Sequence, residues 1–217
     1  MKNQKDYRGF KKFFYAILQE FSEKFNINFM KKIADLFFAF SERIALNFDY
    51  FLDLYIKYYE DMVNEEINSV SISKSDKIVY VGCGSIPASS ILISQKTGVP
   101  VLGIDKDKIS VKKAKLCVDK LDLSDIIEIK NSEASDFLFD NFNVIIISHG
   151  VCPIDKFLKY LSKKVAKNSR IILRTFSDED GNLLKSDEFV NDLFKINKII
   201  KHEKQGRVIS VILSLKS

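Results

Sequence analysis

The stretch Lys77-Ile78-Val79-Tyr80-Val81-Gly82-Cys83-Gly84-Ser85-Ile86-Pro87-Ala88-Ser89-Ser90-Ile91-Leu92 holds a strand, a turn and the start of a helix. Ile78 to Val81 is a short apolar run ending at a glycine, as expected of a strand buried on both faces. Gly82 and Gly84 permit backbone geometry and close approach that a side chain would block. Pro87 suits the first helical turn, where a missing N–H costs nothing. It occupies the third glycine position of a G-x-G-x-x-G fingerprint, which argues against a nicotinamide dinucleotide enzyme. A strand–glycine loop–helix unit places a ligand at the carboxyl end of the strand.

Downstream of this unit the pattern repeats. Strands are expected at 99–105, 126–130, 144–148 and 170–176, separated by helices near 87–97, 108–121, 132–140 and 153–167. That alternation predicts an α/β protein with a parallel sheet covered by helices. The end departs from it. A helix near 186–194 leads into β-rich segments at 198–202 and 208–214, joined through Gly206, which suggests a closing antiparallel hairpin. A doubly wound sheet ending in such a hairpin resembles the Rossmann-like class I S-adenosylmethionine-dependent methyltransferase fold.

Upstream the composition changes. Of the 26 Phe and Tyr residues, 17 lie in the first 60 positions, and the first 81 residues carry one glycine and no proline. Stripes at helical spacing run Phe10 to Phe25, Phe29 to Phe40, and Ile44 through Phe48, Phe51, Leu52, Tyr55, Ile56 and Tyr59 to Val63. They predict a small all-helical, aromatic-rich cap at 1–70, ahead of a ligand-binding domain at 71–217.

The net charge of +5 is modest, and basic and acidic residues interleave, which argues against a nucleic-acid partner. No run of 18 uncharged apolar residues is present, which excludes a membrane-spanning helix. Cys83, Cys117 and Cys152 form no C-x-x-C pair, so neither a disulfide framework nor a metal site is expected, and a reduced, cytoplasmic protein is. Nothing in the pattern fixes an oligomeric state.

Asp105 ends the second strand, 21 residues after Gly84, where a carboxylate can accept hydrogen bonds from both ribose hydroxyls. Asp107 sits at the following helix start and is the weaker candidate. Glu133, ahead of Ala134 after the third strand, is expected either to meet the adenine amino group or to favour the positive end of a short helix. His149, after the fourth strand, is either a base for an amine nucleophile or a pocket-lining group. His202, in a Lys-rich stretch, is expected in solvent. The set expected to bind the donor is Val81, Gly82, Cys83, Gly84, Pro87, Asp105, Lys106, Glu133, Ala134 and His149, with Cys83 an unreactive wall residue.

The glycine-loop stretch resembles the nicotianamine synthase family pattern hydrophobic-Val-Gly-x-Gly-x-x-Pro-x-Ser/Thr-x-Ile-Leu, with Ser85 where the family often has Pro. Arg170-Ile-Ile-Leu-Arg174-Thr175-Phe176 resembles the family's Arg-Ile-Ile-x-Arg-Thr-Tyr/Phe strand, and Val208 to Leu213 its final strand. Tyr58-Tyr59-Glu60-Asp61 is similar to a Tyr-Tyr-x-Asn segment. Together these cover about 55–217. The segment after Phe176 differs from the family's Gly, Arg and Leu-Tyr-x-Pro.

The resemblance implies that S-adenosylmethionine donates a 3-amino-3-carboxypropyl group to the amine of a small amino-acid-like acceptor. The products would be methylthioadenosine and a nicotianamine-like metal chelator. It brings Tyr59, with Tyr55 and Tyr58, close to the amine. Arg174 would hold a substrate carboxylate, or else form a salt bridge on the sheet edge. A small-molecule methyltransferase and a non-catalytic binding module are the competing readings.

Overall fold

A computed structural model describes residues 49–216. The first two aromatic stripes, the start of the third, and most of the expected cap lie outside the described residues.

Seven strands form one sheet: β1 (Ile78–Val81), β2 (Val101–Asp105), β3 (Ile127–Asn131), β4 (Val144–Ile147), β5 (Arg170–Phe176), β6 (Phe194–Lys201) and β7 (Val208–Leu215). Their order is β3-β2-β1-β4-β5-β7-β6. β1 to β5 run parallel, while β7 is antiparallel to both β5 and β6. β1 and β4 are buried along their whole length, which is why they read as unbroken apolar runs. The closing hairpin is present, and β6 begins at Phe194, earlier than expected, because Phe194 fills the core completely.

The helices are α1 (Asp49–Tyr58), α2 (Glu60–Val70), α3 (Ala88–Thr97), α4 (Lys108–Lys120), α5 (Ile154–Leu161) and the short α6 (Val190–Leu193). One face of the sheet packs on α1 to α4, through residues such as Tyr55, Val63, Ile91 and Ala114. The other packs on α5 and α6 through Phe157, Leu158, Leu161 and Val190. Strand residues feed the two cores alternately: Ile171 and Leu173 belong to the second and Ile172 to the first.

Three expected helices are corrected, of which the one near 186–194 is a 3-10 turn, Lys185–Asp187, followed by the four-residue α6. The third stripe is not one helix: the chain breaks at Tyr59, whose N–H reaches back only to the Ile56 carbonyl, 3.1 Å away. The segment 132–140 holds a single 3-10 turn, Ala134–Asp136. Beyond it Phe137 and Phe139 bring their rings within 5.0 Å, and Phe139 packs on Phe157 in the core. Burying these rings outweighs the few hydrogen bonds a short helix would add.

Candidate active site

The glycine loop leaves β1 and folds against β2: the N–H groups of Gly82 and Cys83 both reach the Ile104 carbonyl, at 2.9 and 3.1 Å. Gly82 and Gly84 have φ of +75° and +66°, in the left-handed region. A Cβ on Gly82 would stand 2.9 Å from the Val151 Cγ2, so this position admits no side chain. The Cys83 thiol turns into the core instead, where Gly103 leaves it room: a Cβ there would meet its sulfur at 3.2 Å.

Asp105 ties the loop to the next helix. Its Oδ2 accepts from the Gly84 N–H and its Oδ1 from the Asp107 N–H, both at 2.9 Å. Each oxygen keeps a further lone pair for a ligand. Asp107 has a different task. It caps α4, accepting from the Ile109 and Ser110 amides and from the Ser110 hydroxyl at 2.7 Å. The hydrogen bonds from the Ser110 hydroxyl and amide hold its carboxyl below the ordinary carboxylate range. Asn131 fixes the crossing by donating to the carbonyls of Asp105 and Lys106, both at 2.9 Å.

These elements border an open cleft at the carboxyl ends of β1, β2 and β4. Val81, Gly82, Asp105, Lys106, Glu133 and Ala134 all line it, with Gly150, Val151 and Cys152 opposite. Lys106 spans the gap, its Nζ 3.1 Å from the Cys152 carbonyl. Glu133 is exposed and makes no cap to the short turn that follows. Gly84 serves through its N–H, and Pro87 is buried at the head of α3, so both stand behind the wall. A broader depression along the outer edge of β3 mixes Lys115, Asp119, Glu128 and Lys130 and reaches none of the glycine-loop residues.

His149 stands beside the cleft, its ring edge-on to Phe176 at 5.4 Å. Phe176 packs in turn with Met62, Leu184, Val208 and the half-buried Tyr59. Tyr59 is thus held at the α1–α2 break, its hydroxyl 3.4 Å from that of Tyr55. Tyr58 turns away and donates to the Lys204 carbonyl at 3.0 Å.

The carboxylate that Arg174 holds is the chain's own. Its Nε and Nη2 donate to the two oxygens of Glu66, at 2.8 and 2.6 Å, with both side chains almost wholly buried. Nη1 donates to the Ser89 hydroxyl at 2.8 Å and the Tyr80 hydroxyl at 3.1 Å. β5 lies between β4 and β7, so this is no sheet-edge salt bridge. Burial opposes the guanidinium's charge, but Glu66 outweighs it and raises the pKa above its ordinary value. His202 is also corrected: its ring is buried, with Nδ1 2.8 Å from Glu65 and Nε2 2.8 Å from the Ser210 hydroxyl. Burial pushes its pKa below the ordinary value, against the pull of Glu66 and Glu65.

The sequence reading missed Glu66, although a signal was present. An acid at 66 interrupts the apolar stripe Met62, Val63 and Val70, just as Arg174 interrupts an otherwise apolar strand. Two opposite charges on two buried faces call for each other.

No protein-family model matches the chain. Over 167 residues it is 24% identical to carboxy-S-adenosyl-L-methionine synthase from Nautilia profundicola, covering 75% of this chain and 67% of that protein. Over 136 residues it is 25% identical to L-histidine 2-aminobutanoyltransferase from Yersinia pestis, covering 62% and 48%. The chain therefore spans about two thirds and about half of these relatives. Among solved structures, a variant of the nicotianamine synthase MtNAS in complex with S-adenosylmethionine superposes with a TM-score of 0.70 at 13% identity. That match covers 100% of this chain and 80% of the other. MtNAS in complex with MTA and tNA gives 0.68 at 14% identity, covering 82% and 69%. The chain has a nicotianamine synthase-like class I fold. In this class I frame, the cleft between the glycine loop, Asp105 and Glu133 lies at the carboxyl ends of the strands, where an open α/β sheet binds its ligand.

Proposed function

We propose that the protein is an S-adenosylmethionine-dependent transferase that moves a 3-amino-3-carboxypropyl group onto the amine of a small amino-acid-like acceptor, releasing methylthioadenosine. The observation that carries this reading is the coincidence of two sites at the carboxyl end of one sheet. A nucleoside cleft built on Gly82, Asp105 and Glu133 lies on one side, and an aromatic group of Tyr59, Phe176 and His149 on the other. Relatives named for work on S-adenosylmethionine and for moving an aminobutanoyl unit onto L-histidine support it.

The residues present fit the donor. Asp105 has lone pairs left for a ribose diol, Gly82 leaves the base of the cleft bare, and the exposed Glu133 can accept from an adenine amine. Bound there, the sulfonium supplies a leaving group, the S–C bond breaking toward sulfur as the amine nitrogen bonds to carbon. The chain's part is to orient the acceptor, exclude water and take the amine proton. Tyr59 is placed to direct the amine, and His149 is the group suited to receive that proton.

In this reading α1 and α2, the described part of the expected 1–70 cap, cover the acceptor end, and 71–217 form the donor-binding domain. The partner is a small amino-acid-like molecule, in keeping with the L-histidine named for one relative. The product is a metal chelator made in the cytoplasm. The test is incubation with S-adenosylmethionine and a pool of amino acids, followed by mass spectrometry. Methylthioadenosine together with an acceptor enlarged by one aminocarboxypropyl unit is expected. S-adenosylhomocysteine would turn the reading into a methyltransferase, and failure to bind the donor would turn it into a non-catalytic module.

A further inference from the structure

We propose that Glu66 is a positioning residue: its buried ion pair with Arg174 fixes Tyr59 on the acceptor side against the glycine-loop helix on the donor side. The proposal rests on the transferase reading above. It starts from where the pair sits. Glu66 comes from α2, Arg174 from β5, and the remaining hydrogen bonds of the pair run to the Tyr80 hydroxyl on β1, Ser89 in the first turn of α3 and Ser210 on β7. Five elements thus meet at one charge pair, with the guanidinium carbon 5.4 Å from the centre of the Tyr80 ring.

The pair joins two sides that also meet through apolar packing and through the more exposed Lys96–Glu60 ion pair, 2.8 Å long, at the far end of α3. On the donor side, Ser89 belongs to the first turn of the helix that the glycine loop opens. On the acceptor side, Tyr59 is the residue from which α2 starts, and Glu66 follows it seven residues later. Seven residues are about two turns, so both project from the same side of the helix, roughly 10 Å apart along its axis. Holding Glu66 sets the rotation of α2, and that rotation sets where Tyr59 points. From the outside, Glu65 and His202 hold the same helix through Ser210, whose hydroxyl donates to Glu66 at 2.5 Å.

A buried ion pair adds little net stability over apolar residues of similar volume, because desolvation offsets its attraction. What it supplies is a fixed angle and distance, since a bidentate guanidinium–carboxylate contact admits one orientation. A displacement of about 1 Å in an in-line transfer lowers the rate by about 100-fold. Glu66 and Arg174 touch neither donor nor acceptor; they act through Tyr59 and Ser89.

The test replaces the pair by apolar side chains, Glu66→Leu with Arg174→Met, in the full chain, alongside the isosteric Glu66→Gln. Four quantities are read: melting temperature, S-adenosylmethionine affinity by calorimetry, single-turnover methylthioadenosine release, and the Tyr59 resonance in fluorotyrosine-labelled protein. The double variant is expected to melt near the wild type and to keep donor affinity. It is expected to lose roughly 10- to 100-fold in transfer rate, with a shifted or broadened Tyr59 signal. A double variant with the wild-type rate and an unmoved Tyr59 signal overturns the proposal. If the double variant does not fold, Glu66→Gln decides by the same two readouts. If the wild type itself releases no methylthioadenosine, the transferase reading falls, and the Tyr59 resonance alone still decides whether Glu66 positions it.

Discussion

On the donor side, the Gly84 amide reaches the Asp105 carboxylate across 21 residues of chain, while on the acceptor side Arg174 reaches back 108 residues to Glu66. The base of the donor side is one strand–loop–helix unit and the end of the next strand, and the loops after β3 and β4, at 133–134 and 150–152, complete its walls. The acceptor side adds to the local Tyr55–Tyr59 pair contacts that need α2, β5 and the final hairpin in place: Ser210 meets Glu66 across 144 residues, and Tyr58 meets the Lys204 carbonyl across 146. The donor site is therefore a local motif carried by the sheet. The acceptor side is a product of the whole fold, and is where small changes in packing can alter which amine is presented.

That contrast can be broken most severely at Glu66. Glu66→Ala leaves a buried guanidinium without its counter-charge, and stability should fall by about 3–5 kcal/mol, read as the midpoint of a urea denaturation. Asp105→Ala should act on the other side. It removes the acceptor for two backbone amides and, in the proposed donor pose, for the ribose, so donor affinity should fall by about 100-fold, close to 3 kcal/mol, in calorimetry. Its effect on the denaturation midpoint should stay well below that of Glu66→Ala. Asp107→Ala sharpens the assignment within the donor side: losing the α4 cap should cost about 1 kcal/mol of stability with donor affinity kept. Equal losses of affinity for the two aspartates would contradict the division between them.

The smallest expected effect is one of pH. Burial lowers the His202 pKa below its ordinary value while Glu66 and Glu65 oppose that shift, so the net displacement is partial. The folded protein then binds the proton less readily than the unfolded chain. The contribution of His202 should be complete above about pH 6.5 and lost as the pH falls below it. Denaturation across that window should show a decline in the wild type that a His202→Gln variant lacks.

How much of this could be read from the residues follows the same division. The parallel strands, the glycine loop, Asp105 and the closing hairpin were legible because each is marked by nearby apolar runs, glycines and turns. The length of the 132–140 helix was not, because Phe137 and Phe139 gain more from the core in an extended segment than from helical hydrogen bonds. Lysines surround His202 in sequence and suggest solvent, yet β7 brings Ser210 to it and α2 brings Glu65. Arg174 was singled out as a carboxylate binder, but the carboxylate lay 108 residues away, beyond any local pattern.

The central claim is that the donor cleft and the Tyr59 side together perform aminocarboxypropyl transfer. Its most direct test is the identity of the nucleoside released when the purified protein turns over S-adenosylmethionine with amino acids, read by mass spectrometry. Methylthioadenosine rising in step with an aminocarboxypropylated acceptor is the predicted result. S-adenosylhomocysteine rising with a methylated acceptor would contradict it.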